Sequence, residues 1–178
     1  MRDGNWQSLM RQKACRERPL VGVGADLRVA EAEYLRGEEM AVCVQPRGVG
    51  AAAGWLGLYP DATHVVYLAA PAERLEAGER LSVVAGETAL SAASTHGDSE
   101  IIVDDGRGFV PGVVVAVGDM WRRVLKVEGR KVTLTSELEH ACAVGTPVRR
   151  MRRYLVLGSE DEAGQGHHLR VAVREIGG

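Results

Sequence analysis

Residues 152–175 read RRYLVLGSEDEAGQGHHLRVAVRE. Two short β-prone runs, Tyr154-Leu155-Val156-Leu157 and Leu169-Arg170-Val171-Ala172-Val173, flank a stretch rich in Gly, Asp and Glu. That is the pattern of two strands joined by a turn. In the second run Leu169, Val171 and Val173 alternate with His168, Arg170, Ala172 and Arg174, and period-two alternation predicts one buried and one wet face. His167 and His168 then point to opposite faces. Ligands to one metal must converge, which i, i+4 spacing on a helix achieves and adjacent strand positions do not. The stretch therefore reads as a β-hairpin rather than a metal or acid/base site.

Composition extends the same reading to the whole chain. With 178 residues, 46% hydrophobic and 26% charged, it can bury a core as one domain, or as one domain carrying a smaller module. Twenty-two glycines stand beside a single Phe, so the core is built from Val, Leu, Ile and Ala with many tight turns, which favours many short strands. A net charge of -2 gives no global drive toward nucleic acid or an anionic membrane. Cys15, Cys43 and Cys142 are far apart and odd in number, which argues against a disulfide framework and a zinc site. The N-terminus lacks an apolar signal core, and no apolar run nears the roughly 18 residues that span a bilayer. No nucleophile-base pair, phosphate loop or metal cluster is evident, and His64, His96, His140, His167 and His168 lack an obvious partner arrangement. No enzyme activity and no cofactor are expected.

Along the chain, Trp6, Leu9, Met10 and Lys13 fall at helical spacing between Asn5 and Arg16, and Pro19 ends what forms there, so a short amphipathic helix or an extended arm is expected. Residues 20–46 read as strands broken at glycines and at Gly37-Glu38, with Gly22 and Gly24 marking a kink rather than a phosphate cradle. Gly48 to Gly54 reads equally as a loop or a helical turn. Strands are expected through Val65–Leu68 and Arg80–Val84. Thr88 to Glu100 is rich in small polar residues without an apolar period, as a linker would be. Beyond it, at least four strand-like runs bounded by Gly turns occupy about fifty residues, the pattern of a compact small barrel. The fold class is thus all-β: a small β-barrel (19–95 and 152–178) with a second small β-barrel-like module inserted (96–151), plus a short N-terminal helix or arm (1–18).

With the insert set aside, Leu75 to Leu81 follows an L-x-x-G-D/E-x-h turn, Tyr154 to Gly158 a Y-x-V-x-G strand, and Gly166 to Glu175 a G-x-x-H-x-x-V-x-h-x-E strand shortened by one residue before His168, h being hydrophobic. This order resembles the tailed-bacteriophage head-tail joining proteins, also called head-completion, head-closure or stopper proteins. The insert is separately similar to small β-modules of phage structural proteins, through Ile102 to Gly112 and Val144 to Val148. The resemblance implies a virion neck protein. Such a subunit joins a homo-oligomeric ring below the portal and its adaptor, retains the packaged DNA with non-specific contact at most, and docks the tail. No membrane partner is implied. The inserted module departs from the family pattern. Tail terminator, baseplate and capsid-decoration roles compete, as does a nucleic-acid-binding barrel.

Within that reading some residues stand out as interface candidates. Trp6, Leu9 and Met10 form an apolar stripe on the arm, suited to docking on a neighbouring subunit or ring. Arg149, Arg150, Arg152 and Arg153 put charge on both faces of a strand, which places them at a module junction or an exposed edge, or against phosphates. Glu160, Asp161 and Glu162 form an acidic hairpin tip that would face a channel or the tail. Trp121 is expected to plug the core of the inserted barrel, and the turn at Asp104-Asp105 to cap its own backbone donors.

Overall fold

A computed structural model describes residues 10–19, 34–48, 55–69, 73–161 and 168–177. Ten strands account for most of them: β1 (Gln12–Pro19), β2 (Tyr34–Pro46), β3 (His64–Ala69), β4 (Arg80–Ala89), β5 (Glu100–Ile102), β6 (Val114–Val117), β7 (Met120–Glu128), β8 (Lys131–Leu134), β9 (Pro147–Asp161) and β10 (His168–Ile176). The chain is all-β, as expected from its Gly-punctuated Val and Leu runs. One 310 turn, Trp55–Leu58, interrupts them. Two compact units result, one formed by the described residues of Met1–Val83 with Arg153–Ile176, the other by Val84–Arg152. Strands β4 and β9 carry the chain out of the first unit and back.

The first unit is a closed six-stranded antiparallel barrel in the order β1-β2-β3-β10-β9-β4, with β4 returning to β1. Its interior is filled by apolar side chains. Val42, Val66, Leu81, Val156, Val171 and Val173 are fully buried around Tyr154. The turn between β3 and β4 adds Leu75 to this core. Gly78 makes that turn possible with φ +93°, a conformation that side chains with a Cβ resist. The Gly78 N–H donates to the Val156 carbonyl and the Val156 N–H to the Glu79 carbonyl, both close to 2.9 Å. The turn that carries Leu75 to Leu81 is thus stitched to the strand that carries Tyr154 to Gly158.

Two expectations change here. The helix expected across Asn5 to Arg16 is not formed over its described part: residues 12–19 are strand β1, paired with both β2 and β4. The sequence of β1 masks this, because Ala14, Cys15, Arg16 and Glu17 are all buried and show no alternation. The break at Gly37-Glu38 is a β-bulge within a continuous β2, where the register with β1 shifts between Cys15 and Glu17. The readings at residues 20–33 and 49–54 lie outside the described residues.

Of the wet face expected for β10, Arg174 is exposed, whereas His168, Arg170 and Ala172 are buried. Ala172 packs with Leu56, Ala62 and Val65 in a second small cluster, flanked by Trp55, Tyr59, Tyr67 and Leu157. Arg170 lies 4.7 Å from the Trp55 ring centre and pairs with Glu160, so its charge is stacked and neutralised rather than hydrated. The segment around the 310 turn therefore covers one outer wall of the barrel. Gly158 admits it: a Cβ there would sit 2.3 Å from the Tyr59 hydroxyl oxygen.

In the second unit β6, β7 and β8 form consecutive hairpins, β5 pairs with β8, and the first half of β9 pairs with β6. Val115, Val117, Val132 and Val148 are completely buried in a core closed by Phe109, Met120 and Leu138. The expected linker at Thr88 to Glu100 is instead part of this unit. Leu90 bridges to Val103 and Ser94 to Cys142, and Leu90 is 1% exposed. Single bridges need no apolar period, which is why the segment reads as a linker. Trp121 is not the core plug. It is half-buried on the opposite face of the sheet, against Val114, Ala116 and Met151.

Candidate functional site

The arginine run on β9 resolves into individually engaged side chains. Arg149 Nε donates to Glu87 at 2.7 Å. The Arg150 guanidinium fits between Gly86 and Gly108, where a Cβ would lie 2.3 and 2.2 Å from its nitrogens, and donates to the Gly108 carbonyl at 3.0 Å. Arg152 is exposed. Arg153 belongs to the first unit and lies 3.7 Å from the buried carboxylate of Glu17, which also accepts from Ser82. The structure does not gather the four into one cationic patch within either unit; at least three are tied to their own chain.

The same holds more widely in the second unit. Arg107, Arg122, Lys126, Arg130, Lys131 and Arg149 each hold a carboxylate at 2.6 to 3.4 Å. Asp105 accepts from the Arg107 side chain and, at 2.9 Å, from its backbone N–H. These bonds, the side-chain ones foremost, lower its pKa from 3.8 to about 2. The acidic turn caps its own backbone as expected.

At one mouth of the first barrel, a cluster that sequence reasoning missed ties the β3–β4 turn to β1 and β9. Arg16, with a side chain 9% exposed, donates to both carboxylate oxygens of Glu79 at 3.0 and 2.8 Å. It also donates to Glu73 at 2.9 Å and to the Arg74 carbonyl at 3.1 Å. Glu79 Oε2 accepts the Glu76 N–H at 3.1 Å, and Ser159 Oγ donates to the Leu75 carbonyl at 2.6 Å. Arg80 stacks 3.8 Å over the Tyr34 ring. The signal available in sequence was the Glu after Gly78, an acid just before a strand in which Leu81 and Val83 are buried.

Beside this mouth lies a groove of about 670 Å³ lined by Arg16, Arg18, Leu35, Glu38, Leu68 and Glu73, among others. Leu35 on its wall is 60% exposed. Of the other candidates, Met10 is buried, Glu160 is engaged by Arg170, and Asp161 is exposed at the end of β9. Trp6, Leu9 and Glu162 lie outside the described residues, as does His167. His168 is buried beside Tyr67 at a ring separation of 5.8 Å. Among the described residues no group of three or more His, Cys, Asp or Glu could hold a metal ion, and no helix is long and apolar enough to cross a membrane.

No protein-family model matches the chain, and no curated protein matches it in sequence.

Proposed function

We propose that this chain is a structural subunit of a tailed-phage neck: a head-completion protein that assembles as a homo-oligomeric ring below the portal and adaptor. In that place it closes the DNA channel and offers the tail its docking surface. The observation that carries the reading is the interlock at the barrel mouth. The turn at Leu75 to Leu81 and the strand at Tyr154 to Gly158 are the pieces on which the resemblance rests, and they are hydrogen-bonded to each other across the sequence. The Glu79 carboxylate of the turn is the partner of Arg16. The motif residues therefore work as one structural unit, as a shared fold would require, rather than as scattered turn residues.

The packed barrel sharpens the proposal. Side chains fill the interior of the first unit, so a DNA channel has to be enclosed by several copies and not by one. The self-paired cations of the second unit also favour a virion role over a nucleic-acid-binding one, since phosphate binding draws on cations free to exchange their counterions. Electron microscopy of the particle, with this chain tagged at its C-terminus, tests the reading together with depletion of the chain during infection. Label at the neck and tailless heads that lose their DNA are expected. Label at the tail tip or over the capsid shell, or closed heads joined to tails after depletion, would replace the neck assignment with one of the other virion roles.

A further inference from the structure

We draw no further inference here: the strongest candidate, the exposed apolar patch of Ala93, Ala143 and Val144 on the second unit, where the bridge between Ser94 and Cys142 brings two loops together, carries nothing, because nothing in the structure shows what covers it.

Discussion

Replacing Glu79 by Ala should destabilise the first unit more than any exposed charge in it. The side chain of Glu79 is 7% exposed and that of Arg16 is 9% exposed, so the change removes the two-bond partner of a mostly buried guanidinium. Removing one member of a buried pair typically costs about 3–5 kcal/mol. Arg16 retains Glu73 and the Arg74 carbonyl, which puts the expected loss at the lower end, about 3 kcal/mol. For a chain of this size that is a fall in Tm of roughly 6–12 °C. Glu73→Ala is the control, because that carboxylate is 78% exposed and exposed pairs contribute about 0–1 kcal/mol. The double variant Arg16→Met/Glu79→Leu removes both charges and should be more stable than Glu79→Ala alone. Urea unfolding followed by far-ultraviolet circular dichroism measures all three. A loss below about 1 kcal/mol for Glu79→Ala, or a double variant no more stable than Glu79→Ala, would refute the argument that burial makes this pair interdependent.

Three other outcomes follow from the geometry. Deleting residues 84–152 and bridging Val83 to Arg153 with a short Gly/Ser turn should leave a cooperative β-sheet melt, because the first unit has its own closed barrel and core; a featureless melt would show that it depends on the second. Gly158→Ala should cost about 1–3 kcal/mol by pushing Tyr59 from the outer cluster, and Tyr59→Ala combined with it should remove most of the extra cost. The Asp105 carboxyl should titrate near pH 2 by nuclear magnetic resonance, and nearer 3.8 in Arg107→Ala. Its folded pKa is depressed, so its stabilising contribution is complete above about pH 3.8 and disappears as pH falls through 2.

Much of the fold is legible in the sequence because strands and turns leave local marks. The 152–175 hairpin, the β7–β8 hairpin with Gly129 at φ +63° and the all-β class follow from alternation and glycine placement. Long-range decisions leave no such marks. Residues 12–19 look helical because Trp6, Leu9, Met10 and Lys13 set a period, whereas the strand is chosen by two partners, β2 and β4, that lie distant in sequence. Arg170 and His168 read as wet because nothing near them says that Trp55 and Tyr67 cover that wall. The buried pair at the barrel mouth joins Arg16 to a residue 63 positions away, beyond the reach of any local pattern. The arginine run reads as a surface because its partners, Glu87, Gly108 and Glu17, are equally remote.

In the proposed ring, how copies adhere follows from where the charge is already spent. Six cations of the second unit hold carboxylates of the same chain, and at the groove of the first unit Arg16 and Arg18 are held by Glu73 and Glu79. An interface built on such surfaces gains little from opposite charge and depends instead on exposed apolar residues such as Leu35. Salt separates the two cases. Screening weakens contacts between exposed charges beyond about 8–10 Å at physiological ionic strength, and neutralising even six phosphates makes nucleic-acid affinity fall by about a thousandfold between 50 and 200 mM salt. Self-association of this chain, read by sedimentation over that same range, should change by less than about threefold. Association that collapsed with salt, or appeared only with added DNA, would mean that cations paired here are released in the assembly, and the nucleic-acid-binding barrel would then be the better account of the chain.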